Sequence, residues 1–546
     1  MEIENRGDIR LYVHHELQRY INDPKAIEEL RETIVSRDSG IFQWAVLMVG
    51  TVHDLYLSGV RLSRILDAIS TKPVHPHDLY RSLFEDIGKE KRQKSLQIIR
   101  WVLFAKQPLS LGQLRHAIAV ESDPESTSLA ECLESVDCET DDELERRIRE
   151  LSRGLLEGYG VYRMIQFIHQ SALDFVSEEG YRILDDSLQS FEEFIGKSHF
   201  KLSRICVRYM NMERAQLDRS LKYDDLADFI QDTGLLGYAS NYWLRHAKDV
   251  EAHNIHQDDL LALFGWLVSE LVDAWTRSQI HFRLQNPIPV KVEVGMDLLE
   301  IAARSGLTSV VRECLDRLSK NVVKVPADHW EHHRSPLSWA AASAEEGVVK
   351  MLIERDDVDV NFKGAGKHPP ILYAASRGHV QIVKLLLTHK AIDVNRTSKG
   401  RTLLGYALVC GFDEIQSLLL SRNDLDVNLL YRGKSLLAWA IRKNDKQFLK
   451  KLLERKDINV NLQDVKGWTS TPLCWAAYYG HVEIIKMLLA HPAIDVDMKD
   501  AWGGNALEIA TGKRRQDIIA LLKDARATMP EPPASRTVYY GAEGDL

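Results

Sequence analysis

Residues 370–388, PILYAASRGHVQIVKLLLT, and residues 472–490, PLCWAAYYGHVEIIKMLLA, share one pattern of proline, paired alanines, Gly-His-Val and paired leucines. Five further stretches fall into register with them: 297–315 (DLLEIAARSGLTSVVRECL), 336–354 (PLSWAAASAEEGVVKMLIE), 403–421 (LLGYALVCGFDEIQSLLLS), 436–454 (LLAWAIRKNDKQFLKKLLE) and 506–524 (ALEIATGKRRQDIIALLKD). A bulky residue recurs at Ile301, Trp339, Tyr373, Tyr406, Trp439, Trp475 and Ile509, at intervals of 38, 34, 33, 33, 36 and 34 residues. A second marker keeps the same spacing: Asp359-Val360-Asn361, Asp393-Val394-Asn395, Asp426-Val427-Asn428, Asn459-Val460-Asn461 and Asp495-Val496-Asp497.

Each repeat opens with a short helical stretch and closes with V-x-x-V-x-x-L-L, which lays one apolar stripe along a second helix. Between them stand Gly306, Gly378, Gly411, Asn444 and Gly480, where the chain needs a positive φ. Short glycine turns (Lys399-Gly400, Arg432-Gly433, Lys466-Gly467, Trp502-Gly503) separate one repeat from the next. Period and unit resemble the ankyrin repeat, whose period is about 33 residues. The resemblance covers residues 293–525 in seven units and implies a solenoid whose repeats share one continuous core. The family's TPLHxAA start usually carries a histidine where this chain has Ser338, Leu372, Gly405, Ala438, Cys474 and Glu508.

At 546 residues the chain exceeds one hydrophobic core, so several domains are expected. The formal charge of −9 supplies no chain-wide basic field for nucleic acid or anionic membrane. Six scattered cysteines read as reduced small apolar residues, which points to an intracellular protein, expected to be soluble and located in the cytoplasm, with the nucleus as the alternative. The start EIENRGDIR lacks a signal-peptide pattern, and the longest apolar run, 41–52, falls short of the roughly 20 residues that span a bilayer.

Helical spacing runs through residues 1–90, in LYVHHELQRY, AIEELRETIV and IFQWAVLMVGTVHDLYL. The texts DIRLYVHHELQRY, SGIFQWAVLMV and LYRSLFEDI resemble the segment that follows the nucleotide-binding core in fungal NACHT proteins, which are NLR-like STAND NTPases. In residues 91–182, SLQIIRWVLFAKQPLSLGQLRHAIAV reads as helix, turn and helix with Ser110 as N-cap. With RMIQFIHQSALDFV (163–176), it resembles that family's winged-helix domain. Residues 121–145 hold eleven acidic side chains and no Lys or Arg, expected as a solvated, partly disordered insertion. Residues 183–290 are expected as a helical connector and 526–546 as a disordered tail, so the whole chain is mainly α.

The resemblance raises the question of a nucleotide site. A P-loop needs GxxxxGK[ST], and Gly196-Lys197-Ser198 has Phe191 where the first glycine belongs, inside helical text. The chain is therefore expected to begin downstream of an NTPase core. His329, His332 and His333 lack a carboxylate or cysteine frame and read as polar loop rather than metal site, and His14-His15-Glu16 lacks HExxH spacing. Cys132 and Cys138 make only a lone pair. His169, Ser171 and Asp174 resemble a triad on paper, but they match the NACHT family's structural IHQS text. No catalytic residue, cofactor or metal is expected.

What remains is a non-catalytic scaffold or sensor arm that binds a protein through the fingers and first helices of its repeats, and the family resemblance implies a place in NLR-like signalling. Residual nucleotide binding, or DNA binding by the winged helix, is the alternative. Aromatic and arginine side chains carry most interface energy. The residues expected to bind are Phe362, Arg377, Lys399, Tyr431, Arg432, Lys443, Lys466, Trp468, Tyr478, Tyr479 and Trp502, with Lys363 and Arg396 beside them.

Overall fold

A computed structural model describes residues 2–37, 42–134, 140–214, 234–265, 270–282, 296–319, 334–364, 368–465 and 469–528. The chain divides into two compact units, 1–298 and 299–546.

The N-terminal unit begins with amphipathic helices. Glu2–Gln18 buries Ile9, Val13 and Leu17, one residue per turn on one face, and Pro24–Arg37 answers with Ile27, Leu30 and Ile34. Helix Phe42–Leu57 adds Trp44 and Met48, the indole N–H of Trp44 donating to the Pro73 carbonyl at 2.8 Å. Helix Lys89–Phe104 is followed by Leu111–Ser122, whose start Ser110 and Gln113 close as a capping box. Asp141–Leu151 is capped the same way by Thr140 and Glu143. A two-stranded antiparallel hairpin, Leu156–Tyr159 with Met164–Phe167, follows, and Ser110 bridges to Met164.

Parts of the acidic stretch are helical. Helix Leu129–Glu134 buries Cys132, and Asp141–Leu151 buries Leu144 and Ile148 while Arg115 pairs with Asp141 at 3.0 Å and Arg163 with Asp142 at 2.6 Å. Glu131, Glu134, Asp141, Asp142 and Glu143 are exposed on helices whose apolar faces are packed, whereas Glu121 is half-buried against Arg100; residues 135–139 lie outside the described residues. Further on, helix Phe191–Met212 packs along Leu236–Ala252, and Glu270–Phe282 donates through the Trp275 indole to the Ser240 carbonyl at 2.7 Å.

In the C-terminal unit seven helix pairs follow among the described residues: Leu298–Ser305 with Thr308–Ser319, Pro336–Ser343 with Glu346–Ile353, Pro370–Ser376 with Val380–Leu387, Leu403–Cys410 with Asp413–Leu420, Leu436–Lys443 with Lys446–Leu453, Pro472–Tyr479 with Val482–Leu489, and Ala506–Gly512 with Gln516–Thr528. The last helix carries residues 526–528 of the expected tail, and the rest lies outside the described residues. The turn inside each pair is left-handed, at φ +74° for Gly378 and +55° for Asn444, and Ala344 takes the same conformation at +63°.

Where the histidines are missing, four of the first helices keep side-chain N-caps. The hydroxyls of Ser335, Thr402, Ser435 and Thr471 accept from the backbone N–H groups of Ser338, Gly405, Ala438 and Cys474, at 3.1 to 3.2 Å.

The recurring Asp-Val-Asn marker is a ladder between repeats. Asn395 donates to the Asp424 carbonyl at 2.6 Å and accepts from the Asp426 N–H at 2.7 Å; Asn428 does the same with Asp457 and Asn459. Asn361 and Asn461 repeat the pattern. Within each marker the first side chain accepts from the third residue's N–H, as Asp426 does from Asn428 at 2.8 Å. Asp497 replaces the asparagine in the last marker, where it faces Arg526 at 3.2 Å.

Candidate interaction surface

The finger turns are tight because two consecutive residues take positive φ: +52° and +66° at Lys399 and Gly400, +53° and +78° at Arg432 and Gly433. Consecutive fingers are tied through backbone: Arg432 N–H donates to the Gly400 carbonyl at 2.5 Å and Val465 N–H to the Gly433 carbonyl at 2.8 Å. Beside them the bulky first-helix residues Trp339, Tyr373, Tyr406, Trp439 and Trp475 form a row.

Cations stand over that row. Arg334 lies 4.4 Å from the Trp339 ring centre and 5.1 Å from that of Tyr373; Arg401 lies 5.6 Å from Tyr406, Arg442 5.6 Å from Trp439 and Lys434 4.6 Å from Trp475. Arg401, Lys434 and Arg442 were missed as surface residues from sequence; the signal was there, since Lys and Arg are the only charged residues in residues 395–411 and 428–444.

The expected residues divide. Arg377, Lys399 and Arg432 are exposed, and Trp502 is 64% exposed at a finger tip. Phe362, Lys363 and Arg396 are half-buried, the Lys363 ammonium donating to the Thr397 carbonyl at 3.0 Å. Tyr478 and Tyr479 are half-buried in an aromatic group: Tyr479 stacks between Trp475, at 5.7 Å, and His481, at 5.8 Å, and Lys513 stands 4.5 Å over Tyr478. Lys466 and Trp468 lie outside the described residues.

Tyr431 needs correction. It is 1% exposed, wedged between Tyr406 and Trp439 at 5.6 and 5.7 Å, with its ring over Gly405, so it belongs to the core and offers nothing to a partner. Lys443 is exposed, yet its ammonium donates to the carbonyls of Leu408 and Val409 at 2.9 and 2.5 Å, capping the first helix of the preceding repeat.

The sites set aside from sequence are placed as follows. Gly196-Lys197-Ser198 lies inside helix Phe191–Met212, and a Cβ at Gly196 would meet Ile255 at 2.8 Å, so the glycine serves close packing. His169 and Ser171 do meet, at 2.9 Å, but His169 is the N-cap of helix Gln170–Phe175, Ser171 bonds Tyr80 at 2.9 Å, and Asp174 is held by Gln170. His14 and Glu16 sit in a helix, bonded to Gln18 and Arg19. The three loop histidines and Cys138 lie outside the described residues.

One cluster escaped sequence reading. His199, His246 and Asp249 bring ligand-type atoms within 4.8 Å of one another. The two Nδ1 atoms are 2.9 Å apart, His246 Nε2 meets the Tyr238 hydroxyl at 2.7 Å, that hydroxyl accepts from Lys106 N–H at 3.0 Å, and the Lys106 ammonium pairs with Asp249 at 2.5 Å. One proton arrangement satisfies this chain: Tyr238 donates to His246, His246 to His199, and the His199 Nε2–H faces Asp249 at 3.6 Å. Burial drives the pKa of His199 down to about 4 and holds His246 well below its ordinary value. With an ammonium already on the carboxylate, the cluster reads as a hydrogen-bond chain of neutral imidazoles.

The family model described as ankyrin repeats (3 copies) matches two stretches, residues 357–430 and 437–530. The C-terminal array is made of ankyrin repeats. Three solved structures are similar to it. The ankyrin repeat domain of Bcl-3 is 21% identical with a TM-score of 0.36, covering 42% of this chain and 100% of that one. The human ASB11 ankyrin repeat domain is 22% identical with a TM-score of 0.30, covering 43% and 99%. The structure of the predatory endopeptidase Bd0816 from Bdellovibrio bacteriovorus in complex with immunity protein Bd3460 is matched at 24% identity and a TM-score of 0.30, covering 35% and 98%. No curated protein matches the chain.

Proposed function

We propose that this chain is a non-catalytic scaffold whose ankyrin fingers and first helices capture a protein partner. Ankyrin repeats are in general protein–protein interaction modules. The observation that carries the reading is the finger edge itself: backbone-tied turns present Lys399, Arg432 and Trp502 to solvent and the end of a first helix presents Arg377, while Tyr431 and Lys443 are spent on holding the stack. Pre-organised anchors on a rigid frame lose little entropy on binding.

For the N-terminal half, the reading as a winged helix draws on the order of helices 89–104, 111–122 and 141–151 before the hairpin and on the Ser110–Met164 bridge, and its reading as a NACHT-associated segment rests on the sequence resemblance alone. A role in NLR-like signalling, and a cytoplasmic location, rest on that resemblance. Among the described residues no helix is long and apolar enough to cross a membrane.

The test is capture by cross-linking with the full chain and with Lys399→Ala/Arg432→Ala/Trp502→Ala as paired baits. A partner recovered with the first and lost with the second supports the reading; an unchanged partner set defeats it. Calorimetric titration with Mg-ATP addresses the nucleotide-binding alternative, and saturable micromolar heat would favour it over a purely non-catalytic scaffold.

A further inference from the structure

Charge is segregated between the two edges of the three central repeats of the ankyrin array. The stretches holding fingers and first helices, 361–378, 395–411 and 428–444, contain ten Lys and Arg and no Asp or Glu. The stretches holding the second helices, 379–394, 412–427 and 445–460, contain eight basic and eight acidic residues. In a chain whose formal charge is −9, ten like charges along one edge repel one another with no fold-level return.

The structure shows how the two edges differ. On the second-helix edge three of the eight cations are paired with carboxylates, Arg422 with Asp424 at 2.6 Å, Arg455 with Asp457 at 2.8 Å and Lys384 with Glu414 at 2.7 Å, and carboxylates equal the cations in number. On the finger edge none of Arg377, Lys399, Arg401, Arg432, Lys434 and Arg442 forms an ion pair with a carboxylate of the described residues. Four of these six stand on aromatic rings: Arg401, Lys434 and Arg442, joined by Arg432 at 5.6 Å from the ring centre of Tyr431. A ring face occupies one side of a guanidinium or ammonium and leaves N–H donors pointing away from it, ready for carboxylate oxygens. The carboxylate next to these cations, Asp464, is buried beneath Lys434 and already accepts from Ser435 N–H at 2.8 Å and the Trp475 indole at 2.9 Å.

We infer that the protein captured here presents an extended acidic segment, its Asp and Glu side chains meeting this row of cations from one finger to the next. The inference rests on the proposed protein-binding role of the same face. A peptide fits better than a nucleic acid for two reasons. The chain's overall negative charge opposes approach of a dense polyanion. Val465 and Trp502, each 64% exposed on the neighbouring fingers, give apolar side chains of a peptide something to cover.

The test is fluorescence anisotropy with the full chain and three probes: a labelled Glu-rich extended peptide, its Lys-rich counterpart and single-stranded DNA. The expected result is binding of the Glu-rich peptide alone, weakened by salt. Arg377→Gln/Arg432→Gln/Arg442→Gln should weaken it about tenfold, and the charge-matched Lys384→Gln/Lys451→Gln/Lys486→Gln less than about twofold. Unchanged circular dichroism and thermal unfolding confirm that both variants fold, and single substitutions replace either triple that does not. Equal losses in the two triples, no binding of the Glu-rich peptide, or tighter binding of DNA would each overturn the inference. A partner captured by cross-linking, lost with the Lys399/Arg432/Trp502 variant but lacking an acidic segment, would sink this inference and leave the protein-binding role standing; no partner lost would sink that role itself.

Discussion

Gly405 lacks a side chain because Tyr431 occupies its place: a Cβ there would stand 2.6 Å from the Cβ of Tyr431, whose ring is held by Tyr406 and Trp439. This is the column in which ankyrin repeats usually carry histidine, so the departure is a local exchange of a polar side chain for a finger aromatic. Gly405→Ala should lower stability by about 2 kcal/mol, the range of an overpacked core. Gly405→Ala/Tyr431→Ala should cost less than the sum of the two single changes. Urea unfolding of the four proteins measures this, and strict additivity would refute the coupling.

Asn428 links two repeats with both ends of its amide, donating to Asp457 and accepting from Asn459. Asn428→Ala leaves a carbonyl and an N–H without these partners and should cost about 1–2 kcal/mol. Asn428→Asp keeps the acceptor alone and should fall between. Because neighbouring repeats stabilise one another, the loss should broaden the unfolding transition as well as shift it. A single sharp transition at the wild-type midpoint would count against the ladder.

The stability of the N-terminal unit should depend on pH through His199 and His246. Burial lowers both pKa values; for His199, Asp249 pulls the other way while Lys106 and His253 add to the lowering. As pH falls, the unfolded chain protonates near the ordinary value of about 6.5, whereas folded His199 holds out to about 4. Protons therefore favour the unfolded state across that window: stability is complete above about pH 6.5 and declines towards pH 4. For His199 alone the loss is on the order of 3 kcal/mol. Urea midpoints at several pH values should fall less steeply in His199→Gln/His246→Gln, and identical slopes would dismiss these residues as the cause.

Lys443 separates packing from binding. Lys443→Met removes the cap on Leu408 and Val409 and should cost about 1 kcal/mol of stability. It should leave affinity for the acidic peptide within about twofold, because its charge is directed inward. A large affinity loss with unchanged stability would reverse that assignment.

Much of the fold is legible in the letters. The apolar stripes, the Ser and Thr caps, the left-handed column at Gly378 and Asn444 and the Asp-Val-Asn marker each state a local requirement, and local requirements repeat with the chain. The surface was less legible. Tyr431 precedes Arg432-Gly433 at a finger turn and looks exposed by its neighbours in sequence; its burial comes from Gly405, in the preceding first helix. The pairing of His199 with His246 spans two helices that no motif connects.

The sequence by itself determined a stack of seven helix pairs and the segregation of charge along it, since both follow from periodicity and composition. Only the tertiary structure decided which polar and aromatic groups are spent inside the stack and which remain for a partner. The physical reason is range: a helix stripe is set by residues three and four apart, whereas the fate of Tyr431, Lys443 or Asp464 turns on ångström distances to groups in an adjacent repeat or helix, which spacing along the chain does not encode.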